Sequence, residues 1–186
     1  MLTSTAPRQT AERAWLICLD LQRDYVVPGR PRYAAANTDV AATCAQVLSL
    51  AREEGWRIVH SQVRSPAPTP WPRELFGAPI EGLRPLISEP VYFRRGLSAF
   101  TDPGFAAELR AARGAEVYLI GFSLADTCLA TVLAGVDEGL SLTLVEDAVG
   151  ASEALPSAEL ARAVLRPFVE FASSRRLMAR RLEAVH

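Results

Sequence analysis

Short runs of consecutive apolar residues alternate along this chain with stretches whose apolar residues recur at helical spacing. A strand buried on both faces has no polar side to show, so such runs belong to a parallel sheet covered by helices on both faces. The first run, Ala14–Leu19 (AWLICL), ends at Asp20. A helix is expected over Asn37–Glu54, where Val40, Cys44, Val47, Leu48 and Ala51 share a face and Gly55 supplies the stop. Arg57–Val63 and Val91–Arg94 read as strands, and Asp102–Arg113 as a helix with Asp102 as N-cap ahead of Pro103. Glu116–Ile120 is a strand stopped by Gly121, Asp126–Glu138 a helix closed by Gly139, and Leu140–Val145 a strand leading to Glu146 and Asp147. Pro156–Ala172 reads as a helix and Arg175–Ala179 as a final, weaker strand. Ser65–Pro90 carries seven prolines and little periodicity, which marks a long irregular excursion of the kind that is functional or disordered. No internal repeat or second domain is visible, so a single α/β domain is expected over 14–186, preceded by a flexible segment Met1–Arg13.

The formal charge of −1 gives no reason to expect nucleic acid or an anionic membrane as partner. Forty-nine per cent hydrophobic residues are many for such a chain, yet no run approaches the roughly 20 residues needed to cross a bilayer. That surplus points to a buried sheet or to a homodimer or larger homo-oligomer. Met1–Arg13 is polar and lacks a signal-type apolar core, and Cys18, Cys44 and Cys128 are odd in number and widely spaced, so a reducing cytoplasm is expected. With His60 and His186 as its two histidines, the chain offers no multi-histidine site, and neither metal nor other cofactor is expected. All 20 basic residues are arginine, which rules out lysine-based catalysis.

In open parallel sheets, ligands bind beyond the carboxyl ends of the strands. Asp20, Gln62, Arg94 and the turn Gly121–Thr127 each follow or end a strand, so they are expected to border one crevice.

Four stretches, in order, resemble the isochorismatase-like (cysteine hydrolase) superfamily: LDLQRDYV (Leu19–Val26), FRRGLSAF (Phe93–Phe100), IGFSLADTCLATVLAGVDEG (Ile120–Gly139) and LVEDAVGAS (Leu144–Ser152). The resemblance implies a Rossmann-like three-layer α/β/α sandwich around a six-stranded parallel sheet, and a small-molecule hydrolase. It also implies a working triad of aspartate, lysine and a cysteine at a helix N-terminus, where cationic neighbours and the helix dipole lower the thiol's pKa. Asp20 matches the aspartate. The lysine position falls on Arg94, with Arg95 as the adjacent alternative; an arginine holds a charge or a developing oxyanion but cannot act as a base. With Gly121, Thr131 and Gly139 as anchors, Thr127 rather than Cys128 stands at the nucleophile's position.

Two readings of Thr127 stay open, nucleophile or hydrogen-bonding wall, and two of Cys128, buried hydrophobe or nucleophile of a distorted turn. Ser123, Ala125 and the backbone N–H groups of Ala125–Cys128 are expected to face the substrate. Gln62, Tyr25, Trp71 and Phe76 are candidate pocket residues, whereas Gln22 and Asp24 are expected to hold their loop, and Cys18 and Cys44 to lie in the core. The leading expectation is a hydrolase of a small metabolite working by Asp20 acid/base catalysis, with Arg94 on an anionic group or oxyanion and no cysteine nucleophile. The alternatives are a cysteine amidohydrolase through Cys128 and a non-catalytic binding protein built on the same fold.

Overall fold

The computed structural model describes residues 14–63, 77–152 and 158–184. Six strands form one parallel sheet: β1 (Trp15–Leu19), β2 (Arg57–Val63), β3 (Val91–Arg94), β4 (Glu116–Gly121), β5 (Ser141–Val149) and β6 (Glu170–Ala172). Their order across the sheet is β3-β2-β1-β4-β5-β6. The winding direction therefore reverses between β1 and β4, and the crevice beyond their carboxyl ends is the natural place for a ligand.

β1 sits centrally and is buried along its whole length, and its side chains alternate between two cores. Trp15, Ile17 and Leu19 join the layer that holds α2 (Pro103–Leu109), α3 (Leu129–Asp137) and α4 (Ala158–Leu165). Leu16 and Cys18 join the layer that holds α1 (Asn37–Glu53) and α5 (Ser174–Ala184). The result is the expected three-layer α/β/α sandwich. Cys44 lies with Cys18 in the second core, as expected.

Most expected elements match to within a residue or two, including the Asp102 cap, whose carboxylate accepts the N–H groups of Gly104 (2.8 Å) and Phe105 (3.0 Å). β5 runs four residues past the expected Val145, so Glu146 and Asp147 lie within the strand, and the C-terminal third differs further. Pro156–Ala172 is not one helix: α4 stops at Leu165, ahead of Pro167, whose ring cannot continue a helix. The chain then pairs Glu170–Ala172 with Thr143–Val145 as the sixth strand. Arg175–Ala179 is not a strand but part of α5, whose first turn is capped by Ser173 Oγ accepting the Arg176 N–H at 3.3 Å. Its arginines are good helix formers, and Leu177 and Met178 rest on the α1-side core. The segment Met1–Arg13 lies outside the described residues.

Under α1, buried His60 meets Glu89 at 2.9 Å, and Arg52 grips both Glu89 oxygens (2.7 and 3.0 Å). Burial pushes the His60 pKa below its ordinary 6.5. Burial works to raise that of Glu89, but the hydrogen bonds from Arg52, the Leu86 N–H and His60 outweigh it and hold the carboxyl below 4.5. Both folded values lie below the unfolded ones, so the unfolded chain takes up each proton first and stability falls as pH falls. We expect the Tm to drop from pH 7.5 to pH 5 as unfolded His60 protonates, by about 2–4 °C per kcal/mol lost. A second loss follows below pH 4.5 through Glu89. Thermal melts of His60→Gln, which keeps a donor for Glu89, should show a flatter profile between pH 7.5 and 5; an unchanged slope would exclude His60 as the source.

Candidate active site

Asp20 leaves β1 with φ +46°, a left-handed conformation uncommon outside glycine. Its N–H donates to the Ser61 carbonyl of β2 at 2.9 Å and its carbonyl accepts the Gln22 N–H at 2.6 Å. The side chain is thereby turned across the end of the sheet, fully buried. On the other flank Gly121 ends β4 with φ +124°, where any Cβ would collide with the Leu19 backbone. A glycine is needed there for the chain to come close enough that the Phe122 N–H reaches the Leu19 carbonyl at 3.0 Å.

Arg94, at the end of β3, is 1% exposed and grips Asp20 in a two-pronged ion pair: Nη1 to Oδ1 at 2.9 Å, Nη2 to Oδ2 at 2.5 Å. Its other donors are engaged as well. Nη1 also reaches Ser61 Oγ at 3.3 Å, Nη2 reaches Thr127 Oγ1 at 2.9 Å, and Nε reaches the Leu97 carbonyl at 3.1 Å. A guanidinium has five N–H donors, and all are used within the protein. Arg94 therefore has none left for a substrate anion or oxyanion, contrary to the sequence expectation; it fixes the carboxylate. Arg95 is exposed, which settles the choice between the two arginines for this contact.

Asp20 collects further donors. Oδ1 accepts the Val63 N–H at 2.8 Å, and Oδ2 accepts the hydroxyls of Tyr25 (3.3 Å) and Thr127 (3.4 Å). Thr127 lies in a π-helical turn, Leu124–Cys128, that enters α3. One step further on, the Cys128 side chain points away from this cluster into the core with Leu124 and Val132. Adjacent residues on a helical turn point in well-separated directions, so one of the pair faces the carboxylate and the other the core. Burial first, then the nearby charges of Asp126 and Asp20, push the Cys128 thiol well above its ordinary pKa.

The turn is braced by Asp126, whose Oδ1 accepts the Ser123 hydroxyl and the Thr127 N–H, both at 2.5 Å. The Asp126 and Cys128 N–H groups point at the Ser123 carbonyl (3.5 and 3.0 Å). Of the backbone donors expected to face substrate, this leaves the Ala125 N–H. Ser123 is buried and committed to Asp126, so it supports the turn rather than a ligand.

Tyr25 is buried, stacks on Phe122 at 5.0 Å between ring centroids, and accepts Arg32 Nη1 at 3.0 Å while donating to Asp20. Burial, then the Asp20 charge, raise its phenol pKa well above 10. Gln62 lies on the α1-facing side of β2 with His60, and among the described residues its side chain has no hydrogen bond to Asp20, Arg94 or Thr127. Its neighbour Ser61, on the other face, does reach the cluster. Gln22 and Asp24 hold the loop as expected, through Gly77 (3.0 Å) and Arg30 (2.9 Å). Trp71 and Phe76 lie outside the described residues. Sequence reasoning missed Ser61, Asp126 and Arg32; the alternation of β2 from Val59 was the available signal for Ser61. Among the described residues no group of three His, Cys, Asp or Glu side chains is placed to hold a metal ion.

The parallel α/β sandwich thus carries a buried carboxylate, held by an arginine, at the winding reversal where such sheets bind small ligands. A family model described as the isochorismatase domain matches residues 14–175, and the chain belongs to the isochorismatase-like hydrolase family. It is 27% identical over 151 residues to a maleamate amidohydrolase of Pseudomonas putida, covering 73% of this chain and 71% of that one. A crystal structure of an isochorismatase from the same organism matches with a TM-score of 0.71 and 26% identity, over 91% of this chain and 92% of that one. A putative isochorismatase hydrolase from Oleispira antarctica shares the fold, with a TM-score of 0.78 at 19% identity over 92% and 98% of the two chains. No helix among the described residues is long and apolar enough to cross a membrane.

Removing one partner of a buried ion pair leaves an uncompensated charge and costs about 3–5 kcal/mol. Arg94→Met should therefore destabilise the fold by that order, and Asp20→Asn added to it should recover part of the loss. Urea melts of the two single variants and the double variant measure the coupling; additive effects would show the pair to be energetically independent.

Proposed function

We propose that this chain hydrolyses a small molecule by proton transfer at Asp20, without a thiol nucleophile. The observation that carries the reading is the direction of two neighbouring side chains: Thr127 contacts Asp20 and Arg94, and Cys128 packs in the core. Arg94 acts as a positioning residue that holds the carboxylate in one orientation. Water attacking the electrophilic carbon gives its proton to Asp20 as the carbon–oxygen bond forms. Asp20 returns that proton to the leaving atom as the scissile bond breaks, so the enzyme ends in its starting state. Thr127 Oγ1 orients that water, and the Ala125 N–H is the candidate donor to the oxyanion. The maleamate amidohydrolase relative makes an amide C–N bond the first to test, ahead of an enol ether.

A second reading has its own observation. The Thr127 hydroxyl donates to Asp20 while accepting from Arg94, which is the arrangement of a nucleophile beside its base. The Cys128 route requires the thiol to leave its core position, and a binding protein without turnover requires that the cluster serve recognition alone.

Asp20→Asn should lower kcat/KM at least about 100-fold, the range for losing general acid–base catalysis. Cys128→Ala should keep turnover within several-fold, at some cost in stability from lost packing. Steady-state kinetics on maleamate and related short amides checks both; full activity in Asp20→Asn, or loss confined to Cys128→Ala, would overturn the reading. Mass spectrometry of acid-quenched reactions separates the two Thr127 roles, since an acyl adduct on Thr127 requires the nucleophilic one.

A further inference from the structure

Arg94 is used up internally, which leaves open what an anionic substrate would meet. Arg32 answers to that description. It follows the short helical turn Arg23–Tyr25, is half-buried, and places its guanidinium carbon 5.6 Å from the Tyr25 ring centroid. One of its N–H groups, on Nη1, donates to Tyr25 Oη at 3.0 Å, and that hydroxyl donates to Asp20 Oδ2 at 3.3 Å. The guanidinium thus stands two hydrogen bonds from the reacting carboxylate. Among the described residues it forms no ion pair, unlike Arg30, Arg52, Arg57 and Arg94. Asp20 from one wall and Asp126 from the turn after β4 both act on its charge. An arginine over the ring of a buried tyrosine, with a single hydrogen bond among the described residues beside the Asp20 carboxylate, is pre-organised for a planar anion.

We infer that Arg32 is the specificity-determining residue of this site and binds a carboxylate of the substrate, selecting short acids whose scissile group lies a few atoms from that carboxylate. The inference rests on the hydrolase reading for its reaction but not for its ligand. The Tyr25 hydroxyl fixes where the guanidinium sits relative to Asp20, so the length between carboxylate and scissile carbon is set by the Arg32–Tyr25–Asp20 chain. Substrate entry gives the remaining N–H groups an acceptor without disturbing the Asp20–Arg94 pair.

The test compares maleamate with maleamide, its uncharged diamide, in the wild-type protein, Arg32→Gln and Arg32→Lys. Wild type should prefer the acid, and Arg32→Gln should raise KM for the acid roughly 10- to 100-fold, the range for losing a charge-assisted pair. The preference for the acid should collapse with it, and Arg32→Lys should restore part of it. A merely structural Arg32 would lower turnover of both substrates alike, and that result would overturn the inference. If neither amide is hydrolysed, calorimetric titration with maleate, succinate and glutarate decides separately. Binding to wild type that weakens in Arg32→Gln upholds the carboxylate site while the hydrolase reading fails; no binding of any of the three overturns the site.

Discussion

The two-pronged contact between Asp20 and Arg94 is the interaction on which the rest of the site depends. Both side chains are almost completely buried, and charges taken out of water are tolerated only when every oxygen and N–H finds a partner. Here the partners come from four strand ends: Asp20 after β1, Ser61 and Val63 on β2, Arg94 closing β3, and Thr127 in the turn after β4. The cluster therefore ties together the carboxyl edge of the sheet at the place where its winding reverses. The left-handed backbone at Asp20 and the glycine at 121 are local costs of bringing those ends so close.

Much of this was legible in the sequence because buried parallel strands are written as uninterrupted apolar runs. β1, β2, β3 and β4 came out within a residue, and Asp20 stood out as a carboxylate where such a run stops. The family resemblance, anchored on Gly121, Thr131 and Gly139, also implied that Thr127 rather than Cys128 stands at the site. β6 was not legible: three residues are too few to show a period, and the short stretch Arg175–Ala179 after them, two arginines followed by three apolar residues, does not by itself tell helix from strand. The role of Arg94 was legible as a charge but not as a saturated donor set. Counting its N–H groups requires knowing that Ser61, Leu97 and Thr127 converge on it. Arg32 and Asp126 were invisible for the same reason, because nothing in their sequence neighbourhood says which loop residues meet across the crevice.

Arg94 and Thr127 beside Asp20 suit a different chemistry from the lysine and thiol that the sequence resemblance implies. A thiol needs a nearby cation to become a thiolate, whereas a hydroxyl needs an oriented base or an oriented water. Arginine suits the second task because its planar fork can lock a carboxylate and a hydroxyl in one plane while keeping its own proton. Burial of Cys128 removes the remaining thiol from the site and returns it to packing against Leu124 and Val132. Contact of Thr127 with Arg94 and burial of Cys128 are thus consistent with each other, and both reflect the direction in which the turn after β4 presents its side chains.

The most direct measurement of this account is the NMR signature of the Arg94 guanidinium in protein labelled with nitrogen-15. A side chain whose N–H groups are all held by Asp20, Ser61, Thr127 and Leu97 cannot rotate freely about its Cζ–N bonds. Its terminal Nη–H protons should give separate, slowly exchanging resonances, and these should merge or vanish in Asp20→Asn. A single averaged signal in the wild-type protein, unaffected by that substitution, would contradict the account.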